Sequence, residues 1–384
     1  MKRITACIAC LALGAVLVGT GCGPKPVAQE SILDTPQNHY RQGLRELERG
    51  NLDSAEKAFD RAMDLAPDYP GSYAGKALVL SRKQEYKEAL RMADKAIGKD
   101  KNFIDAHIVR GQVLSAQKKG DDWIKDAVKS FDKALKIDPE SSKARYYKGL
   151  AYKEAFMFDE AADEFRAVIA AKDDYSANAD SEWELIQKIQ RAAPGTALGK
   201  KIALIQEIDR SDLAVLLIEE LKILTILEKK RPKTYDTEFR PPEDPREMKG
   251  KEAETGNGIQ DIAGHWAETW IEQIVSAGVM ELFPDKTFMP DQKITRANFA
   301  GVLQSMLILV TGDNSLARKY ISSPSRFPDV NPSHYAYNAI CLAVDRGFMK
   351  TLDLNGAFGI KDTVTGADAL LMIRQFQNAL RLTF

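Results

Sequence analysis

The strongest constraint on the fold is a pattern of small, aromatic and proline residues that recurs about every 34 residues between Pro36 and Lys172. Small residues let two helices cross closely, a Phe fills the space beside the crossing, and a Pro ends the second helix. One such repeat cannot bury its apolar face alone, so the pattern predicts helical hairpins stacked in a row. Four copies align at these shared positions: Gly43, Ala55, Phe59, Ala62 and Pro67; Tyr73, Ala77, Ala89 and Ala96; Gly111, Ala127, Phe131, Ala134 and Pro139; Gly149, Tyr152, Ala161 and Phe165.

The four copies resemble tetratricopeptide repeats, which form a helical solenoid with a concave groove. The third copy departs from the others by an insertion in KKGDDWIKD, which is expected to lengthen a turn on one face, with Trp123 either packed on the helix pair or exposed for contact. The resemblance implies that a protein or peptide segment binds in the groove. The alternative is that the same side chains pack against neighbouring helices. The implied groove residues are Tyr40, Leu44, Leu78, Arg82, Ile108, Gln112, Tyr146, Leu150 and Lys153.

A different repeat occupies the C-terminal part, at 259–311 and again at 325–382. Each copy opens with an aspartate, an apolar residue and a histidine–aromatic pair, His265–Trp266 in one and His334–Tyr335 in the other. Each then passes through an amphipathic helix and a loop to a second helix start, ITRANF or VTGADA. The landmarks of the first copy are Asp261, Trp266, Ile271, Ile274, Gly278, Phe283 to Asp285, Phe288, Pro290 and Ile294 to Ala297.

Both segments resemble S-layer homology (SLH) motifs, which hold proteins to cell-wall polysaccharide and commonly act in threes. A degenerate further copy is expected at 177–228, and a plain helical hairpin that caps the solenoid is the alternative. The copy at 325–382 is divergent, because Gly366 stands where the other has Arg296.

In the SLH family the arginine of the second helix start contributes to a groove for a negatively charged wall glycan. The residue types fit that role, since a Thr or Asp at a helix start caps free N–H groups and an adjacent Arg presents a planar fork of donors. The alternative is that both arginines bind carbonyl or carboxylate groups inside the fold. The candidate glycan-binding residues are Asp209, Arg210, Asp212, Thr295 and Arg296.

The N-terminus predicts export. Lys2 and Arg3 precede an apolar run that is too short to span a membrane, and small residues then lead to Cys22. This resembles a bacterial lipoprotein signal, which implies cleavage after residue 21, lipidation of Cys22 and a membrane anchor. An ordinary signal peptide that releases a secreted protein is the alternative. Gly23 in place of an aspartate implies the periplasmic face of an outer membrane.

The predicted fold class is all-α, a helical solenoid followed by a helical SLH-type domain. The predicted order is a signal peptide at 1–21, a lipid-anchored linker at 22–35, four tetratricopeptide repeats at 36–172, the degenerate repeat at 177–228, a Pro-rich charged linker at 229–258, and the two SLH repeats at 259–311 and 325–382.

No enzyme, metal site or cofactor is predicted. The four histidines fall at equivalent repeat positions, which favours packing or capping: His39 with His107, and His265 with His334. There is no phosphate-binding loop, nucleophile elbow or metal-ligand spacing, and a net charge of −1 gives no argument for nucleic acid. Wall-remodelling activity has only the expected location in its favour.

The predicted function is therefore a cell-envelope lipoprotein scaffold. Its partners would be an anionic wall polysaccharide or peptidoglycan-linked polymer, an envelope protein, and the membrane through the N-terminal lipid. The alternative is a pilotin-like assembly factor for a secretion, pilus or outer-membrane complex, with the SLH half as a protein-binding cap.

Overall fold

A computed structural model describes residues 26–230 and 258–383. Over these residues the chain contains sixteen α-helices, a short 3-10 helix at Asn314–Arg318 and only isolated β-bridges, which confirms the all-α prediction. Cys22 and most of the linker predicted at 229–258 lie outside the described residues. None of the described helices combines the length and apolar character needed to cross a bilayer. Backbone contacts divide the chain into two units, Met1–Tyr147 and Lys148–Phe384.

The first unit is built from helix pairs. A Thr35 side chain that accepts from the Asn38 N–H and a proline at the first turn begin the first helix, as helix-start chemistry requires. The helices are α1 Pro36–Glu48, α2 Leu52–Leu65, α3 Pro70–Arg82, α4 Tyr86–Lys99, α5 Ile104–Gln117 and α6 Trp123–Ile137, followed by α7 Ser142–Glu154, which continues into the second unit.

The repeated glycines and phenylalanines hold the pairs together. A Cβ on Gly43 would lie 2.4 Å from the Phe59 ring, and one on Gly111 would lie 2.6 Å from the Phe131 ring. Both rings are fully buried. The spacing in the sequence therefore reflects rings that pack close against helix backbone, where no larger residue fits.

The insertion in the third copy lengthens one turn. Helix α5 ends at Gln117 and α6 begins at Trp123, and the turn uses a left-handed Lys118 and a left-handed Gly120. Trp123 is half-buried, with the Lys118 ammonium 5.9 Å from its ring centroid.

The second unit begins with a further helix pair of the same kind, and its later helices follow a different pattern. Gly149 of α7 repeats the close approach to a ring, here Phe165 of α8 at 2.7 Å. The helices are α8 Phe158–Ala171, α9 Ser176–Ala192, α10 Ala197–Ala203, α11 Arg210–Glu219, α12 Ile223–Lys230, α13 Glu268–Ser276, α14 Arg296–Thr311, α15 Tyr337–Asp345 and α16 Gly366–Thr383.

Three residues, each two positions before a helix start, join three helices of the second unit through a ring of backbone hydrogen bonds. The Ile208 N–H donates to the Val364 carbonyl, Val364 donates to Ile294, and Ile294 donates back to Ile208, each at 3.0 Å. The side chains of all three are buried. Helices α11, α14 and α16 therefore begin side by side around one small hydrogen-bonded centre.

Candidate functional site

Arg210, the first residue of α11, binds the loop between α13 and α14. Its Nε donates to the Phe288 carbonyl at 2.6 Å and its Nη2 to the Glu281 carbonyl at 2.8 Å. The guanidinium also lies over the rings of Phe283 and Phe288, 4.9 and 4.5 Å from their centroids. We call this contact the first junction. Burial lowers the pKa of Arg210, although an arginine stays charged at any ordinary pH.

Arg296, the first residue of α14, makes the same contact one repeat later. Its Nε donates to the Phe358 carbonyl at 2.7 Å and its Nη2 to the Lys350 carbonyl at 2.5 Å. Its guanidinium lies 4.7 Å from the Phe358 ring centroid. This is the second junction. Each arginine therefore satisfies two loop carbonyls, which fixes the loop against the start of the preceding helix.

The aspartate that opens each SLH segment holds the same loop from its other side. Asp261 accepts from the N–H groups of Phe288 and Met289 at 2.8 and 2.6 Å. Asp329 accepts from Phe358 and Gly359 at 2.8 and 2.7 Å. Sequence reasoning noted these aspartates as landmarks but did not assign them this role. Their recurrence at the same place ahead of the loop in both SLH segments is the sequence signal that could have indicated this role.

The start of α16 forms a third junction. It has Gly366 in place of an arginine because the backbone leaves no room for a larger side chain. The Gly366 N–H donates to the Ile205 carbonyl at 2.8 Å. A Cβ on Gly366 would lie 1.8 Å from the Ile202 carbonyl oxygen and 3.1 Å from the Ala203 Cα. The C-terminal end of α10 therefore occupies the space that a longer side chain needs at the two other junctions.

Capping boxes begin the helices at the first two junctions. Asp209 accepts from the Asp212 N–H while Asp212 accepts from the Asp209 N–H, and Thr295 and Asn298 are paired in the same reciprocal way. Burial raises the pKa of Asp212 to about 6, and the neighbouring Asp209 carboxylate adds to the effect.

The structure thus places the five candidate glycan residues at two equivalent helix starts. Both arginines bind carbonyl groups inside the fold, the alternative that the sequence left open. Asp209 and Thr295 act as helix caps. Contact of these five residues with a glycan stays a prediction.

Exposed aromatic side chains mark the matching positions of the two SLH segments. Trp266 is 51% exposed and Tyr335 is 79% exposed. Each packs on the preceding histidine, with ring centroids 5.8 Å apart for Trp266 and 4.5 Å apart for Tyr335. The histidines themselves act as caps, because the Nδ1 atoms of His265 and His334 accept from the backbone N–H two residues later.

One of the positions predicted to line the groove of the solenoid is filled by contacts within the solenoid itself. The Tyr40 hydroxyl donates to Asp105 Oδ2 at 2.9 Å, and the Lys143 ammonium donates to the other oxygen at 2.6 Å. The rings of Tyr69 and Phe103 lie 6.0 and 6.4 Å from that of Tyr40. Tyr40 is buried as a result.

The nine candidate groove residues therefore differ in how exposed they are. Tyr40 and Ile108 are buried and pack within the solenoid, as the alternative interpretation of the sequence allowed. Arg82 is exposed. Lys153 is half-buried and donates to Glu182 at 2.6 Å. The remaining candidates are half-buried: Leu44, Leu78, Gln112, Tyr146 and Leu150.

Comparison with known families agrees with this architecture. Residues 40–102 and 110–177 match the tetratricopeptide repeat, and residues 259–300 and 326–370 match the S-layer homology domain. The chain carries tetratricopeptide repeats followed by SLH domains. Both are structural and binding modules rather than catalytic ones. Within residues 26–230 and 258–383, no cluster of three or more His, Cys, Asp or Glu side chains is arranged to hold a metal ion.

Two similar proteins come from Acetivibrio thermocellus. Cell surface glycoprotein 1 is 33% identical over 83 residues, which is 21% of this chain and 3% of the relative. Cellulosome-anchoring protein is 32% identical over 87 residues, 22% of this chain and 17% of the relative. The chain thus matches only a small part of either protein.

Among solved structures, a thermophilic TPR protein of Thermus thermophilus covers 50% of this chain and 94% of its own, at 18% identity and a TM-score of 0.36.

Proposed function

We propose that this chain is a non-enzymatic scaffold of the cell envelope. Its SLH domains would bind an anionic wall polysaccharide or a peptidoglycan-linked polymer, and its tetratricopeptide repeats would bind a protein partner. Two similar proteins are named for the cell surface and for anchoring, which supports a location at the envelope. The match of two separate segments to the SLH domain carries the proposal.

The exposed aromatics supply the physical basis for polymer binding. Trp266 and Tyr335 combine a large apolar face with a polar edge, and aromatic residues of these two types are enriched at binding interfaces. Each is held in position by its histidine neighbour, so a sugar that stacks on the ring would not have to order it first.

The arginines contribute mainly by fixing the loops that border the binding surface. Arg210 and Arg296 each donate Nε and Nη2 to loop carbonyls, and both remain partly exposed. Within this proposal, any contact with an acidic sugar uses the remaining donors of the two guanidinium groups. A charge-assisted hydrogen bond of that kind contributes about 1.5 to 3 kcal/mol.

The proposal includes lipidation of Cys22 and an anchor at the periplasmic face of an outer membrane. Metabolic labelling of cells with a tagged fatty acid tests this part. The wild-type chain should incorporate the label and Cys22→Ser should not. Equal labelling of both chains would remove the anchor from the proposal.

Sedimentation with isolated cell walls tests polymer binding. The full chain should pellet with walls of the source organism and stay in the supernatant after the acidic wall polymers have been chemically stripped. A Trp266→Ala, Tyr335→Ala double variant should pellet much less, while Tyr320→Ala, which removes a partly buried tyrosine elsewhere in the same unit, should behave like wild type. A chain that never pellets would instead favour the assembly-factor alternative.

A further inference from the structure

Apolar side chains are exposed on the stretch that leads into α1. Ile32 is 93% exposed, Leu33 is 74% exposed and Val27 is 49% exposed. Apolar residues exposed one at a time are common on protein surfaces, whereas adjacent ones form a patch of the kind that marks an interaction site. The proposed groove and the SLH contacts use other residues, so neither of them covers this group.

Ile32 and Leu33 are the two central residues of a tight turn at 31–34. The Asp34 N–H donates to the Ser31 carbonyl at 3.1 Å, which closes the turn. The buried Asp34 carboxylate accepts from Arg61 of α2 through both of its oxygens, from Nε at 3.1 Å and from Nη2. The turn is therefore fixed to α2, and its two exposed side chains are held in one place.

The backbone of the turn is also hydrogen-bonded within the protein. The Leu33 carbonyl accepts from the Thr35 N–H at 2.9 Å and from Asn38 Nδ2 at 3.0 Å. The Ser31 carbonyl accepts from Asp34. Carbonyl groups without a partner are costly where water is scarce, as it is inside the interface of a bilayer. These two carbonyls can therefore leave water without losing their hydrogen bonds.

The proposed lipid acceptor lies a short way before the turn along the chain. The Val27 N–H donates to the Asp64 carbonyl at 2.9 Å, which attaches this stretch to α2. Val27 follows Cys22 by five residues, and a chain of that length spans at most about 18 Å. A lipid on Cys22 would therefore keep Val27, and the turn that is fixed to the same helix, close to the bilayer surface.

We propose that Ile32 and Leu33 enter the interface of the bilayer that holds the Cys22 lipid. This contact keeps the start of α1 against the membrane and determines which end of the solenoid faces it. The inference rests on the lipid anchor of the proposed function and adds to it a direct contact between the protein and the membrane. The occupant is a lipid bilayer, because the anchor brings a bilayer to this turn in every molecule.

The contact is weak by itself and depends on the anchor. A single myristoyl chain gives only marginal membrane binding, and two side chains bury less apolar area than such a chain. An anchor on Cys22 makes insertion of the turn an intramolecular step at high effective concentration, so that a weak contact becomes populated.

Quenching of a fluorophore beside the turn tests the proposal. Ser31→Cys places a thiol next to Ile32 and Leu33 without changing either, and Cys341 is buried away from the label. The acylated full-length product, purified from cells, is labelled with a nitrobenzoxadiazole dye. It is then reconstituted in phosphatidylcholine vesicles that contain a lipid with a nitroxide in its acyl chain. The same label on Lys133→Cys, an exposed position of α6, is the control.

The label at position 31 should shift its emission to the blue and lose fluorescence to the nitroxide, while the label at position 133 should do neither. Ile32→Asp with Leu33→Asp should abolish the quenching, because a turn accepts aspartate and a bilayer does not. Ile137→Ser removes a less exposed apolar side chain of the same unit and should leave the quenching unchanged. Circular dichroism verifies that each variant is folded. Quenching that persists in the aspartate variant would overturn the proposal.

Flotation of the same vesicles separates this inference from the anchor beneath it. If the chain floats with the vesicles and the label at position 31 is not quenched, the anchor stands and the contact is wrong. If the chain does not float, the anchor and the contact both fail.

A Cys22→Ser chain in buffer without lipid tests the other occupant, a second copy of the chain. Its label at position 31 should emit as in water. Emission already shifted to the blue, together with sedimentation as a dimer, would place a second copy on the turn and overturn the proposal.

Discussion

The solenoid and the SLH part are both built from helical repeats, but they join those repeats in different ways. In the solenoid, aromatic rings pack between helices that are neighbours along the chain, as Phe59 packs on Gly43 of its own repeat and on Gly75 of the next. In the SLH part the first residue of a helix reaches into the next repeat, and the backbone bonds among Ile208, Ile294 and Val364 close a cycle. One architecture is a row of repeats and the other is a ring.

This difference determines how far the effect of a substitution spreads. In a row, stability is a sum of each repeat and its nearest neighbours, so a local change stays local. In the ring, one junction cannot shift without moving the hydrogen bonds at the others. Residues at the three junctions should therefore affect the whole SLH part, whereas equivalent changes in the solenoid should not.

The largest effect should come from Gly366→Ala. The new Cβ would collide with the Ile202 carbonyl, and the ring cannot open there without losing the bond from Ile208 to Val364. We expect the free energy of unfolding to fall by at least about 3 kcal/mol, at the upper end of overpacking costs. Urea unfolding of the full chain, followed by tryptophan fluorescence, measures it.

The matched control is Gly301→Ala within α14, where an added Cβ meets no atom within 4 Å. This change should leave stability unchanged or raise it by roughly 0.5 to 1 kcal/mol, because alanine favours helix. If both glycine variants unfold at the same urea concentration, the close approach at the third junction does not constrain the ring.

The next largest effect should come from Arg296→Ala. It removes the donors to the Phe358 and Lys350 carbonyls and the stacking on the Phe358 ring, at a cost of about 2 kcal/mol. Arg296→Lys should recover little of this, since an ammonium cannot reproduce the planar fork. The exposed Arg346 provides the control, because Arg346→Ala should change stability by less than about 0.5 kcal/mol. Full recovery by lysine would show that charge alone acts at the second junction.

Asp212→Asn should change how stability depends on pH. The folded-state pKa of Asp212 is raised from 3.8 to about 6, so folding favours its protonated form. That stabilisation is complete below pH 3.8 and is lost as the pH rises through about 6. The variant should therefore be more stable than wild type at pH 7, by roughly 1 to 2 kcal/mol, and the gain should vanish near pH 4.

Urea unfolding of both chains at pH 4, 5, 6 and 7 measures this difference. Asn298 already shows that an asparagine completes the same capping box one repeat later. A constant difference between the two chains across this pH range would contradict burial as the cause of the shifted pKa.

The smallest effect should come from Tyr40→Phe in the solenoid. Loss of the hydroxyl removes one bond to Asp105, which costs about 1 kcal/mol, while the ring keeps its contacts with Tyr69 and Phe103. Hydrogen exchange should quicken only in the solenoid helices, as expected for a row of repeats. Faster exchange in α14 or α16 would mean that the two architectures are not independent in this way.

Much of the fold could be predicted because its signals are local. The recurrence of Gly43 and Gly111 ahead of Phe59 and Phe131 locates the helix pairs, and capping residues such as Thr295 locate helix starts. The junctions depend on contacts between distant segments. Nothing around Gly366 in the sequence shows that the Ile202 carbonyl fills the space of a missing side chain.

The positions of the candidate site residues could be predicted from the sequence, but their hydrogen-bond partners could not. The alignment of Arg210 with Arg296 located two equivalent helix starts, yet the carbonyls that accept from their Nε atoms lie 78 and 62 residues further along the chain. The bond between Tyr40 and Asp105, which are 65 residues apart in the sequence, could not be predicted for the same reason. Side chains that look available in sequence were therefore already used inside the fold.

Hydrogen–deuterium exchange of the full chain, with and without a soluble fragment of the wall polymer, tests the central claim most directly. Polymer binding should slow exchange in the segments around Trp266, Asn298 and Tyr335 and leave α1 to α6 unchanged. Slowed exchange confined to the solenoid helices, with the SLH segments unaffected while the polymer is bound, would contradict the account.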